Sequence, residues 1–241
     1  MSTVQHQMSA SAERVAGREG EALPDVTRDE TGLPRQESEG AGRHLLEQAF
    51  ARENMQRAWK RVKANKGSAG VDGLDIAQTA EYLRWTWPEL RQQLLEGSYR
   101  PQPVRRVGIP KPDGSERELG IPTVTDRLIQ QALLQVLQPL IDPTFSEHNY
   151  SFRPGRRAHD AVLAAQRYAQ QGRHIVVDVD LSQFFDRDNH DILIDRLKKR
   201  VNNTGIIRLV RAYLNAGILA GGVAMERHGG TPQGGRCARC R

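Results

Sequence analysis

Ile175-Val176-Val177-Asp178-Val179-Asp180-Leu181-Ser182-Gln183-Phe184-Phe185-Asp186 is the stretch on which the fold turns. Its first seven residues form a nearly continuous apolar run, rich in β-branched side chains, and predict a strand with two carboxylates set into it. Strand alternation puts Asp178 and Asp180 on one face and Val177, Val179 and Leu181 on the other. A buried carboxylate is costly unless it is paired, protonated or bound to a metal. At a strand end both acids could simply be solvated. A hard dication held there would also offset the charge and could carry the oxygens of a triphosphate. That is the geometry of two-metal phosphoryl transfer, in which acidic side chains hold a pair of Mg2+ about 4 Å apart.

Working outward, Val104-Arg105-Arg106-Val107-Gly108-Ile109-Pro110 and Glu116-Arg117-Glu118-Leu119-Gly120-Ile121-Pro122 flank Lys111-Pro112-Asp113-Gly114. Pro presets φ and Gly tolerates positive φ, so the spacing predicts a hairpin. It brings Lys111 and Arg117 together across the turn, a point charge beside a guanidinium fork, which suits phosphate. Helical periodicity runs from about Arg43 through Leu45, Leu46, Ala49, Phe50, Met55, Ala58, Trp59 and Val62, until three glycines break it over residues 65–73. Further helices are expected over residues 79–96, where Pro88 would kink the helix or end a turn, and from Asp126. The helix from Asp126 would bury Leu128, Ile129, Ala132, Leu133, Val136, Leu137 and Leu140. Residues 159–170, 190–201 and 206–216 read as helices too. Near the end, Thr231-Pro232-Gln233-Gly234-Gly235 offers close backbone approach at the glycines and an amide at Gln233. Helices with hairpin-like strands make the fold class α+β.

The 241 residues are 38% hydrophobic and 27% charged, and no stretch approaches the roughly 20 apolar residues of a spanning helix. There is no basic-then-apolar signal peptide, and both Cys lie in the last five residues, so a membrane protein and a disulfide scaffold are excluded. The expected location is cytoplasmic. Residues 1–42 hold four Arg and eight Asp or Glu, while the remainder carries 31 basic against 21 acidic residues. A basic body suits a polyanionic partner. Residues 1–42 contain no Phe, Tyr, Trp or Ile, and such a segment is expected to be a disordered leader.

Taken in order, the Gly-rich loop, Ile109-Pro110-Lys111-Pro112-Asp113-Gly114, Leu119-Gly120-Ile121-Pro122, Tyr150-Ser151-Phe152-Arg153-Pro154-Gly155, Asp180 to Asp186 and Thr231 to Gly235 closely resemble the group II intron reverse transcriptases, or maturases. The resemblance covers roughly residues 45–235. It implies a right-hand polymerase: N-terminal extension and fingers helices over 43–100, fingers hairpin and helices over 101–170, and a partial palm over 171–235. It implies that Lys111 and Arg117 hold the triphosphate of an incoming dNTP. Asp180 would be the first metal-binding Asp of the palm, with the Leu181 carbonyl as a further Mg2+ ligand. Phe185 would be the bulky residue under the sugar that disfavours a 2′-OH, and Gln233 would pack near nucleotide and template. Arg153 would lie in the loop associated with template RNA and fingers–palm packing. Asp178 is left structural.

After Gly235 the chain reads Arg236-Cys237-Ala238-Arg239-Cys240-Arg241, where the family continues into an apolar helix. The expectation is an aberrant tail over 236–241, with a Tyr-x-Asp-Asp strand missing, an incomplete metal site and no stand-alone DNA synthesis. Cys237 and Cys240 have no second ligand pair for zinc. Two functions stay open: an RNA-directed DNA polymerase fragment, and a non-catalytic remnant that binds intron RNA. Retrons and diversity-generating elements share the palm motifs. Gly70-Val71-Asp72-Gly73 and Thr231 to Gly235 favour the intron group.

Overall fold

The computed structural model describes residues 44–110, 112, 114, 116–181, 187–220, 223–225 and 229–230. The expected leader over 1–42 and tail over 236–241 lie outside the described residues. So do Lys111, Phe185, Gln233 and the side chain of Arg117.

The N-terminal helices are α1 (Leu45–Ala49), α2 (Arg52–Ala64) and α3 (Ile76–Glu96). In α2, Met55, Ala58 and Val62 recur at three and four residues, so one stripe is buried and the other faces carry charge. Asp75 caps α3: the Gln78 N–H donates to its carboxylate at 2.8 Å, and the Asp75 N–H donates to the Gln78 side chain at 3.0 Å. The helix continues through Pro88, so the proline does not end it, and it terminates at Gly97 with φ of 80°. Packing decides there, because Trp87, Leu90 and Leu94 on either side of the proline face the core.

The expected hairpin is present as β1 (Val104–Pro110) and β2 (Glu116–Ile121), paired antiparallel from Arg105 opposite Ile121 to Pro110 opposite Glu116. Next come α4 (Val124–Ile141), a 3-10 turn over Asp142–Thr144, α5 (Ala158–Gln170), α6 (His190–Lys198) and α7 (Thr204–Asn215). Two short strands not anticipated from the sequence follow, β3 (Ile218–Ala220) and β4 (Val223–Met225). β3 lies parallel to β1, with Val104 opposite Ile218, so the sheet order is β2-β1-β3-β4.

Helix α4 is the central strut. Val124, Leu128, Ile129, Ala132, Leu133, Leu137 and Ile141 are buried, with α1 and α2 packed along it. Leu140, expected on that stripe, is 42% exposed, because the buried face has rotated on to Ile141. A buried amide fastens α2 to α4: Asn54 Nδ2 donates to the carbonyls of Ala49 at 2.7 Å and Ala132 at 3.0 Å. Gln135 Nε2 returns a bond to Asn54 Oδ1 at 2.8 Å. Phe50, Leu94, Ile129, Leu133, Ile194 and Ile206 complete the core with almost no exposed surface.

The strand expected over residues 175–181 is not formed. No described strand pairs with it, and Ile175, Val177 and Val179 are 90%, 80% and 77% exposed. β-propensity expresses packing against neighbours, and without a cross-strand partner the run has nothing to pack on. An unpaired apolar β-branched segment is a template for association. The double variant Val177→Lys/Val179→Lys is therefore expected to stay monomeric at concentrations where the parent chain associates, as read by light scattering. Equal association of the two proteins would show that this run is not the cause.

Candidate active site

The hairpin carries the first candidate pair. Pro110, the last residue of β1, is paired with Glu116; Lys111 follows it in the sequence, and Arg117 stands on β2 opposite Ile109. Behind the tip, Arg106 and Glu118 form an ion pair on the half-exposed face, which stiffens the ribbon but contributes little stability. The Arg105 Nε is buried without a hydrogen-bond partner at the seam between β1 and β3.

The base of this hairpin is clamped by residues that the sequence reading missed. Asp126, in the first turn of α4, is 1% exposed. Its carboxylate accepts from Tyr99 Oη at 2.7 Å, Thr123 Oγ1 at 2.8 Å, Tyr213 Oη at 3.0 Å and the Gln102 N–H at 3.2 Å. Tyr99 and Gln102 immediately precede β1, and Tyr213 ends in the helix that leads to β3. One carboxylate thus fixes the origins of both paired strands. Burial pushes the Asp126 carboxyl above the ordinary carboxylate range, and the bonds from Tyr99, Thr123, Tyr213 and Gln102 pull the other way. Burial, reinforced by the Asp126 charge, raises the Tyr99 phenol far above its usual value.

Asp178, Asp180 and Leu181 lie on the exposed run, and Leu181 is 62% exposed. The carboxylate of Asp180 and the carbonyl of Leu181 are hard oxygen donors, the chemistry that Mg2+ accepts. Among the described residues no group of three metal-ligating side chains converges.

Downstream of this run, α6 begins at His190, capped by Asn189, whose Oδ1 accepts from the N–H groups of Asp191 and Ile192 at 2.9 and 3.1 Å. His190 is buried, and its Nε2 donates to the Gly230 carbonyl at 2.6 Å. The Gly230 N–H donates to the Asp188 carbonyl at 2.8 Å. A carbonyl only accepts, so His190 carries its proton on Nε2. This double bond-pair pins Gly230, just before Thr231-Pro232-Gln233, to Asp188, just after Phe185-Asp186. Residues about 40 apart along the chain are thereby joined at one point.

Arg153 has a structural setting. Its Nε and Nη2 grip the Asp142 carboxylate at 3.0 Å each, and Nη2 also reaches the Asp142 carbonyl at 3.0 Å. Its Nη1 donates to the carbonyls of Ser146 at 2.7 Å and Asn149 at 3.4 Å. All five guanidinium N–H groups are thereby used inside the loop. The fork holds the Asp142 carboxyl below its usual range. Lys111, Phe185, Gln233 and the Arg117 side chain lie outside the described residues, so their distances from Asp180 are not part of this geometry.

The chain is similar to known proteins. The reverse transcriptase (RNA-dependent DNA polymerase) family profile matches residues 109–239. Protein YkfC of Escherichia coli K12 is 34% identical over 171 residues, covering 69% of this chain and 45% of YkfC. The group II intron-encoded protein LtrA of Lactococcus lactis subsp. cremoris is 34% identical over 180 residues, covering 74% of this chain and 30% of LtrA. The chain therefore spans less than half the length of these relatives. A solved structure, the partial Cas6-RT-Cas1–Cas2 complex, superposes with a TM-score of 0.54 at 22% identity, covering 81% of this chain and 33% of that one, a likeness of fold. The architecture is the α+β fingers and partial palm of a right-hand polymerase, and the chain belongs to the reverse transcriptase family, among the group II intron-encoded reverse transcriptases and maturases.

Proposed function

We propose that this chain supplies the nucleotide- and template-facing part of a group II intron RNA-directed DNA polymerase, acting in the cytoplasm on RNA and dNTPs. The observation that carries the reading is the Gly230 anchor, which holds the residue preceding Thr231-Pro232-Gln233 in the sequence against Asp188 and His190. In this reading Lys111 and Arg117 hold the triphosphate from the hairpin tip, Phe185 lies under the sugar and Gln233 packs against the nucleotide. Asp180 and the Leu181 carbonyl would hold Mg2+, which when bound neutralises phosphate charge and favours the attacking oxygen. Arg153 shapes the template-side loop through Asp142. Among the described residues no helix is long and apolar enough to cross a membrane.

The test is calorimetric titration of dTTP into the chain with and without Mg2+. Mg2+-dependent binding is expected, lost in Asp180→Asn and kept in Asp178→Asn. Binding that ignores Mg2+, or that survives Asp180→Asn, would overturn the assignment of Asp180. Absence of dNTP binding combined with RNA binding that persists in Asp180→Ala would point instead to a non-catalytic RNA-binding protein.

A further inference from the structure

After α5 the chain leaves a long edge without a ladder. The Arg173 N–H still donates to the Tyr168 carbonyl at 3.1 Å, but beyond it no N–H of residues 174–181 donates to a described backbone carbonyl. Ile175, Val176, Val177, Val179 and Leu181 are all exposed, and so are Val162 and Leu163 on the adjoining α5. Monomeric proteins rarely leave so continuous an apolar stretch in water, and an unpaired strand edge is satisfied most directly by another strand.

The order of charges along the run selects the occupant of that edge. Two copies of one strand related by a two-fold axis pair antiparallel about a single central residue. Every such register puts Ile175, Val177, Val179 and Leu181 of both copies on one face and His174, Val176, Asp178 and Asp180 on the other. Centred on Asp178, the pairing opposes two Asp178 carboxylates; centred on Val179, it opposes Asp178 to Asp180 twice. Parallel in-register stacking sets both acids against their own copies. Like charges directly opposite are destabilising, so these three arrangements are disfavoured. Centred on Val176, Val179 would meet Arg173 and Leu181 would meet Gln171. Centred on Val177, Ile175 meets Val179, Val177 meets itself, and His174 meets Asp180 on both sides of the axis, an imidazole N–H against a carboxylate. We propose that residues 173–181 form an antiparallel two-stranded ribbon with a second copy of this chain, centred on Val177. The contact is isologous and closes as a dimer. A lone ribbon is marginal unless its apolar face is covered, and Val162 and Leu163 of the two α5 helices are the exposed apolar residues next to it in sequence. This goes beyond the nucleotide reading and does not depend on it.

Cysteine cross-linking of the full chain in EDTA, without nucleotide, tests the register. In a Cys237→Ser/Cys240→Ser background, Val177→Cys puts the two sulfurs at the axis, where opposed Cα atoms lie about 4.5–5.5 Å apart and a disulfide can close. Val179→Cys puts them four residues apart along the ribbon, about 13 Å, which a disulfide does not span. Oxidation is expected to give a covalent dimer with Val177→Cys, a monomer with Val179→Cys, and a dimer again with Ile175→Cys/Val179→Cys. Preferential linking through Asp178→Cys, or equal linking by every single cysteine, overturns the proposal. Sedimentation velocity reads the charge pair: the parent chain is expected to dimerise, His174→Glu to dimerise about tenfold more weakly, and His174→Lys to restore the parent affinity. Equal dimerisation by His174→Glu, a parent chain that stays monomeric, or one that grows into open polymers overturns it as well. None of these results bears on Mg2+-dependent dTTP binding, so the two readings fail separately.

Discussion

Asp126→Ala is expected to cost about 3–5 kcal/mol, a large part of the roughly 5–15 kcal/mol that holds a domain folded. The substitution removes the acceptor for Tyr99, Tyr213, Thr123 and the Gln102 N–H at a site that water does not reach. Each donor left without a partner keeps its desolvation penalty, about 1–3 kcal/mol for a neutral group, although the groups will partly rearrange. Urea denaturation followed by tryptophan fluorescence measures it, and a midpoint equal to that of the parent would refute the clamp. Tyr213→Phe removes a single hydroxyl and should cost about 1 kcal/mol. Asp126→Asn keeps the shape: its oxygen can take the Gln102 and Thr123 donors, and its amide can donate to both tyrosine oxygens. It is expected to fold.

The asparagine variant also isolates a pH effect. Because burial holds the Asp126 carboxyl above its ordinary value, the folded chain keeps that proton to higher pH than the unfolded chain does. The native state then binds more protons across this window, and stability falls as pH rises from about 4 through the raised value. Asp142 has the opposite sign. Its carboxyl is held down by Arg153, so its contribution is present above about 4 and is lost as pH falls through the depressed value. Subtracting the Asp126→Asn profile from that of the parent removes the Asp142 contribution, which both share, and should leave a difference that declines with rising pH.

What could be read in advance was what is local. The hairpin follows from Pro-Asp-Gly between two β-compatible runs, and the folded chain sets its register, with Arg105 opposite Ile121 and Ile109 opposite Arg117. The helices follow from apolar spacing, while the capping side chains of Asp75, Thr123, Asn189 and Asn203 emerge only in the folded chain. Non-local structure was less legible. Tyr99 and Tyr213 lie 27 and 87 residues from Asp126, and no periodicity joins them. β3 and β4, three residues each, exist because β1 offers an edge. Residues 175–181 show the reverse: strong strand propensity with no described partner yields no ladder. Arg153 could be picked out from its motif, but only the folded loop shows that its donors turn inward onto Asp142.

RNA binding by this chain is expected to weaken by two to three orders of magnitude between about 50 and 200 mM monovalent salt, and the reason lies in α2. Arg52, Arg57, Lys60, Arg61, Lys63 and the following Lys66 are all exposed there, with Glu53 as the acid among them. Arg57, Lys60 and Arg61 face a groove of about 640 Å³ whose other wall is Gln135, Gln138, Pro139, Pro143 and Pro154. A cation that neutralises a phosphate releases condensed counterions, giving a slope of about −0.7 in log K against log salt per contact on single strands. About six such contacts give a slope near −4, and a fourfold change in salt then changes the affinity by roughly 250-fold. Lys60→Gln and Arg61→Gln should each shallow the slope by about 0.7, uniformly across RNA sequences. A parent slope shallower than about −1 would mean that α2 does not meet the phosphate backbone.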